Sequence, residues 1–263
     1  MSSLKDKRLF LMDMDGTIYL DETLFDGTMD FLKYVKSIGG RYIFITNNSS
    51  KGTEDYVAKM KRLGIEACAD DFLTSADVTI DYLKKNYGPE TGYYICGTKS
   101  LMGQFERAGL KVAAEEDADV VVLGCDTELT YEKLCACVRL INKGAGYIAT
   151  HPDTVCPVSF GFAPDCGSVI TMLEACTKKR PKVIGKPEPE IALAAIRRTG
   201  FKPEETVVIG DRLYTDIACG VNAGVDTVFV LSGEGVREDI EKCKIYPTFI
   251  MSGIREVVNE IKQ

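Results

Sequence analysis

An α/β fold, a doubly wound parallel sheet with a second α/β domain inserted into it, is predicted by three observations. Short uninterrupted apolar runs such as Leu9-Phe10-Leu11-Met12 suit strands buried on both faces. Segments with apolar residues at helical spacing alternate with these runs, as parallel βαβ units require. The alternation fills the first and last thirds of the chain, while the middle carries strand and helix signals of its own.

The elements follow in order. Leu9–Met12 reads as the first strand, which places Asp13 at its carboxyl end. Met29, Phe31, Leu32, Val35 and Ile38 recur at helical spacing before Gly39-Gly40, and Tyr42-Ile43-Phe44-Ile45 follows as a second strand. Helices are expected from Thr53 to Leu63, stopped by Gly64, and from about Asp77 to Lys85. In the middle stand strands at Tyr93-Tyr94-Ile95, Val120–Leu123 and Gly146-Tyr147-Ile148, with a helix from Tyr131 to Ile141. The last third gives a helix near Glu190–Arg198, a strand at Thr206–Ile209, a helix from Thr215 to Ala223 and a strand at Thr227–Val230. Strand Thr248-Phe249-Ile250 and a terminal helix then close the chain.

At 263 residues and 45% hydrophobic content the chain is long enough for a large core. A net charge of -7, from 32 Lys+Arg against 39 Asp+Glu, argues against a general role on nucleic acid, which calls for a basic face. Ten cysteines are scattered through apolar runs (Cys68, Cys96, Cys135, Cys176) rather than spaced as a disulfide framework, so they read as reduced and mostly core. The Cys135-Ala136-Cys137 pair is too close for usual zinc spacing, and the single histidine, His151, offers little help as a co-ligand, so no structural zinc site is expected. The first eight residues lack a signal peptide's apolar stretch and no later run reaches membrane-spanning length, so the expected compartment is the cytoplasm and no membrane partner is expected.

Four polar clusters end apolar strands or precede helices: Asp13-Met14-Asp15-Gly16-Thr17, Thr46-Asn47-Asn48, Gly185-Lys186-Pro187, and Gly210-Asp211 running to Asp216. In an open parallel sheet such ends gather at one crevice, where ligands bind. Each cluster also has an ordinary reading: Asp15-Gly16 as a turn, Thr46 to Ser50 as a loop and helix cap, Lys186-Pro187 as a turn, Asp216 as an acidic first-turn residue. Their joint occurrence in this order is what points to chemistry on a phosphate monoester. An aspartate nucleophile splits that hard displacement into two easier steps. Because two anions repel, a hard cation is needed between them, and Mg²⁺ suits acidic oxygen ligands; Asp13 and Asp211 are the candidates. Lys186 would screen the nucleophile's charge, and the Thr46 hydroxyl with neighbouring backbone N–H groups would bind phosphate oxygens. Asp15, two residues from Asp13, is placed to protonate the leaving group and then deprotonate the attacking water.

These residues resemble the haloacid dehalogenase (HAD) superfamily of phosphatases, and within it the NagD-like, para-nitrophenyl phosphatase group, over essentially the whole chain. Asp13-Met14-Asp15-Gly16-Thr17-Ile18-Tyr19 resembles the first family motif, Thr46-Asn47-Asn48 the second, Gly185-Lys186-Pro187 the third, and Gly210-Asp211 to Asp216 the fourth. The resemblance implies Asp13 as nucleophile, Asp15 as acid/base, and Mg²⁺ on Asp13, the backbone carbonyl of Asp15, and Asp211, with Asp216 in support. It implies a Rossmann-like catalytic core of residues 1–81 and 183–263, with Asp13 and Asp211 on adjacent strands. A C2-type cap of residues 82–182 would set specificity, and a homodimer through the cap fits the group. Two cap positions depart from the family pattern. His151 stands where Asn is common, and Pro164-Asp165 where a Pro-Gly pair is common. His151 and Asp153 are therefore the cap specificity candidates; the ordinary reading of His151 is a solvated loop residue before a proline turn. A phosphotransferase or phosphosugar mutase on the same fold, and a phosphorylatable receiver domain, are the alternatives. The natural substrate stays open among sugar phosphates, nucleotides, pyridoxal phosphate and others.

Overall fold

The computed structural model describes residues 3–158 and 160–262, which divide into two compact units. Of the described residues, the first comprises 3–46, 53–73 and 186–262, and the second 47–52, 74–158 and 160–185. In chain order the strands are β1 Leu9–Met12, β2 Tyr19–Leu20, β3 Thr23–Leu24, β4 Arg41–Thr46, β5 Phe72–Thr74, β6 Gly92–Cys96, β7 Lys111–Val112 and β8 Val120–Leu123. They continue with β9 Gly146–Ala149, β10 Val155–Val158, β11 Gly161–Pro164, β12 Lys182–Val183, β13 Thr206–Gly210, β14 Asp226–Val230 and β15 Phe249–Met251.

The first unit is built on a six-stranded sheet in the order β15-β14-β13-β1-β4-β5. Strand β1 pairs in parallel with β4 and with β13, Met12 standing opposite both Phe44 and Ile209, so its four residues are fully buried from both faces. Helix Thr28–Ser37 lays Phe31, Leu32 and Val35 on the sheet, and the Phe31 ring meets Phe10 edge-on at 5.2 Å. Beside it, helix Ile254–Lys262 buries Ile254, Val257, Val258 and Ile261, an apolar stripe at the i, i+3, i+4, i+7 spacing. The doubly wound parallel sheet expected from the sequence is therefore present, with Asp13 and Asp211 following adjacent strands.

The second unit has a five-stranded parallel sheet, β12-β9-β8-β6-β7, and an antiparallel hairpin, β10-β11. Helix Tyr131–Lys143 begins at Thr130, whose side chain accepts from Lys133 N, and ends at Gly144 with φ 98°. Its Cys137, Leu140 and Ile141 pack in one core with Leu173 and Ile170 of helix Cys166–Thr177.

Several features differ from the sequence reading. Strands β5, β7 and β12, the β10-β11 hairpin, and helices Lys99–Arg107 and Cys166–Thr177 lie where the sequence pattern predicts no element. The strands are only two to four residues long, and Cys166–Thr177 is apolar on most of its circumference, so no stripe marks it as helical. The helix expected from Thr215 is entered through a π-helical turn, Leu213–Ile217, before Ala218–Ala223. All ten cysteines are free thiols, but only Cys96, Cys125, Cys137, Cys166 and Cys219 are buried. Cys68, which caps a short 3-10 turn, and Cys176, in a helix's last turn, are exposed. No helix among the described residues is long and apolar enough to cross a membrane.

Candidate active site

Parallel pairing of β1 with β13 carries one hydrogen bond beyond the strand, from Asp13 N to Ile209 O at 2.9 Å, and this fixes the nucleophile candidate at the sheet's carboxyl edge. Lys186 Nζ reaches that edge from the segment after β12. It donates to Asp13 Oδ1 at 2.6 Å, to Asp216 Oδ1 at 2.6 Å and to Ile45 O at 3.3 Å. The side chains of Lys186 and Asp216 are 3% and 1% exposed, so all three ammonium protons are spent on fixed partners in a dry setting. Asp216 is held in turn by Arg212 N, which donates to its second oxygen at 3.1 Å.

Asp211 completes an acidic cluster: one carboxylate oxygen from each of Asp13, Asp211 and Asp216 lies within 4.8 Å of the others. Its Oδ2 accepts from Glu234 N at 2.8 Å and its Oδ1 from the Thr17 hydroxyl at 3.5 Å. Gly16, at φ +83°, and Gly233 both press on this carboxylate, and a Cβ on either would collide with its Oδ2. The electrostatics follow from packing three anions around one ammonium. Burial raises the Asp13 carboxyl well above its ordinary range; Lys186 pulls the other way, and the Asp216 and Asp211 charges add to the rise. Burial and then the Asp216 charge push Asp211 up to about 6. Burial works against the Lys186 charge, but Asp13 and Asp216 outweigh it and hold the ammonium above its usual pKa.

Asp15 differs from its neighbours in being exposed, at 67% for the side chain. The Tyr19 hydroxyl donates to its Oδ2 at 3.2 Å, and Lys59 Nζ stands 3.6 Å from its Oδ1 and 3.8 Å from the Tyr19 ring centroid. Thr46 ends β4, one residue after the carbonyl that receives Lys186.

The remaining sequence candidates belong to the second unit. Asn47 donates from Nδ2 to both Asp153 carboxylate oxygens at 3.2 Å, while Asn48 Oδ1 accepts from the Ser50 hydroxyl and backbone. His151 is not the solvated loop residue of the ordinary reading: it is 0% exposed, because helix Cys166–Thr177 closes over its loop through Gly167 N donating to Asp153 O at 2.7 Å. Sequence reasoning missed Glu234 and Gly233, although the Ser232-Gly233-Glu234-Gly235 run after a strand was a legible loop signal. It also missed Lys59, which nothing in the local sequence marks.

Haloacid dehalogenase-like hydrolase family models match residues 10–111 and 183–257, the two segments that carry Asp13 and Asp211. The chain belongs to the haloacid dehalogenase-like hydrolases. Within that family its relatives are phosphatases of the NagD-like group, as the four motifs implied. An acid sugar phosphatase of Staphylococcus aureus is 33% identical over 260 residues, spanning 99% of this chain and all of that one. The 4-nitrophenylphosphatase of Thermotoga maritima superposes with a TM-score of 0.93 at 40% identity, covering 98% of both chains. NagD from Escherichia coli K-12 gives a TM-score of 0.88 at 29% identity, covering 97% of this chain and 98% of that one. This protein is accordingly an enzyme of the phosphatase class, and the receiver-domain alternative is set aside.

Proposed function

We propose that this phosphatase hydrolyses a small-molecule phosphate monoester through an aspartyl-phosphate on Asp13, with Mg²⁺ held by Asp13, Asp211 and the backbone carbonyl of Asp15. The observation that carries this reading is the Lys186 ammonium bonded at 2.6 Å to both Asp13 and Asp216 within a cluster that also contains Asp211. The donor set fits the cation: the carboxylates are hard oxygen ligands, and three of them against one ammonium leave negative charge for a divalent ion to offset. Bound there, such an ion neutralises repulsion between carboxylate and phosphate and polarises the phosphoryl group.

The chain's own groups supply the remaining steps. Lys186 fixes the orientation of Asp13 and screens its charge, so that one carboxylate oxygen attacks phosphorus as the bond to the leaving oxygen breaks. Asp15 gives that oxygen a proton and then takes one from the water that cleaves the acyl phosphate, returning Asp13 to its free form. Its exposure and its contacts with Tyr19 and Lys59 support this role, since a group cycling protons must reach solvent and keep its orientation. Asp216 supports the site through Lys186. Thr46, which ends β4, and Asn47 and Asn48, which follow it, are the proposed phosphate-binding residues, together with the Lys186 charge. Substrate choice is assigned to an inserted cap within the second unit, with Asp153 and the buried His151 beside it. Dimerisation through that cap, measurable by light scattering, and a cytoplasmic setting in keeping with ten free thiols complete the reading.

The similarity to an acid sugar phosphatase and a 4-nitrophenylphosphatase makes sugar and aryl phosphates the first compounds to assay. The test is phosphate release from 4-nitrophenyl phosphate and a panel of phosphorylated sugars, nucleotides and cofactors. Asp13→Asn is expected to abolish turnover while keeping the fold, and excess EDTA to abolish it reversibly. Full activity in either case would overturn the mechanism. Transfer of the phosphoryl group to a second sugar in place of water would favour the phosphotransferase alternative.

A further inference from the structure

The second unit holds a cluster of titratable groups that takes no part in the proposed bond-making and proton-transfer steps, although His151 and Asp153 are also the proposed specificity residues. His151, the only histidine in the chain, is fully buried, and neither ring nitrogen has a hydrogen-bond partner. Its Nδ1 faces Asp153 Oδ2 at 3.5 Å and its Nε2 faces Asp165 Oδ1 at 3.6 Å, both beyond the ~2.7–3.2 Å of a real hydrogen bond. Leaving two polar ring atoms unsatisfied between two largely buried carboxylates is costly unless a cation joins them.

We propose that His151, Asp153 and Asp165 form a second divalent-cation site, of the zinc class, which shares no residue with the Asp13–Asp211 cluster. One ligand atom from each of the three lies within 4.8 Å of the others. Donors about 2.0–2.1 Å from a tetrahedral zinc stand roughly 3.3 Å apart, close to the observed spacing between imidazole and carboxylate. One ring nitrogen takes the metal together with the carboxylate on its side, and the other donates to the carboxylate it faces, so that one aspartate is a direct ligand and the other orients the imidazole and fixes its tautomer. Two carboxylates and a neutral imidazole balance a doubly charged ion, whereas an imidazolium would leave one negative charge uncompensated.

The surroundings are built and rigid. Asp165 Oδ1 accepts from Cys166 N at 2.7 Å, both Asp153 oxygens accept from Asn47, and Gly167 N clamps the Asp153 backbone. Gly167 has no room for a Cβ against Pro152 and Asp153, so the loop and the helix start are locked together. The imidazole nitrogen beside the carboxylate oxygens favours a borderline metal over Mg²⁺, which takes oxygen ligands. The two sequence departures from the family pattern, His151 and Asp165, are the two that meet here. The buried imidazole, with neither ring nitrogen hydrogen-bonded, and the converging carboxylates carry the proposal, which rests on no step of the phosphatase mechanism.

The experiment is imidazole ¹⁵N NMR of the full chain, stripped with chelator, held in excess Mg²⁺ and titrated with Zn²⁺; the single histidine makes the signal unambiguous. One equivalent of Zn²⁺ is expected to convert the His151 resonances to a metal-bound pattern, with one nitrogen still protonated. Asp211→Asn should leave this binding unchanged, and Asp165→Asn should weaken it about tenfold or more. His151→Gln should remove one equivalent from the zinc stoichiometry. A His151 signal indifferent to Zn²⁺, or an imidazole carrying both protons at neutral pH throughout the titration, would overturn the proposal. Zinc uptake that follows Asp211 instead of Asp165 would do the same.

Discussion

Replacing Asp211 by Asn should stabilise the metal-free protein at alkaline pH while removing its response to Mg²⁺. Burial, and then the Asp216 charge, raises the Asp211 carboxyl from an ordinary 3.8 up to about 6. Each tenfold change in acid strength is worth ~1.4 kcal/mol, so ionised Asp211 burdens the folded, metal-free chain by roughly 3 kcal/mol. The sign follows from the folded pKa being the higher one. Below about pH 4 the group is protonated in folded and unfolded chains alike and imposes no penalty. Between about pH 4 and 6 the unfolded chain has lost this proton while the folded state still holds it, so the penalty grows, and above about 6, where the folded state ionises too, it is complete. Asn keeps the shape and the acceptor for Glu234 N while discarding the charge. In excess EDTA the variant should therefore be more stable than the parent by up to roughly 3 kcal/mol at pH 8, a rise of about 10 °C or less in midpoint. That advantage should fade between pH 6 and 4. Thermal and urea unfolding across pH 4–8, with EDTA and with Mg²⁺, reads both effects. A variant less stable than the parent at pH 8 in EDTA, or one that Mg²⁺ stabilises as strongly as the parent, would refute the reasoning.

Three further outcomes follow from the same geometry. Lys186→Met should destabilise the fold by about 3–5 kcal/mol, because Asp13 and Asp216 lose their buried counter-ion, and adding Asp216→Asn should recover part of the loss in urea denaturation. Gly233→Ala should weaken Mg²⁺ activation by displacing the Asp211 carboxylate, raising the Mg²⁺ concentration for half-maximal activity with little change in the circular dichroism spectrum. Asp15→Asn should cost about 10²–10⁴-fold on an alkyl phosphate but far less on 4-nitrophenyl phosphate, whose leaving group needs no proton; equal losses in kcat would remove Asp15 from the acid role.

Local pattern made much of the first unit readable. Leu9–Met12, Tyr42–Ile45 and Thr206–Ile209 are runs that only a sheet covered on both faces accommodates, and each ends in polar residues at the same edge. The second unit was harder to read, because two-residue strands such as Lys111–Val112 carry no periodicity and Cys166–Thr177 hides its buried face among apolar neighbours. Glu234 escaped notice as a partner of Asp211 for a related reason: it contributes a backbone N–H, which side-chain identity does not encode.

By itself the sequence determined the α/β class, the acidic and basic residues placed at strand ends, and the family, since these depend on hydrophobic period and on motif chemistry within a few residues. Only the tertiary structure decided which oxygen faces which proton. Lys186 is separated from Asp13 by more than half the chain, yet burial forces its three protons onto Asp13, Asp216 and Ile45. The same rule governs His151, which chain position suggested was solvated. Packing of the Cys166–Thr177 helix sealed it between two carboxylates, because burial belongs to the assembled fold and not to neighbours in sequence.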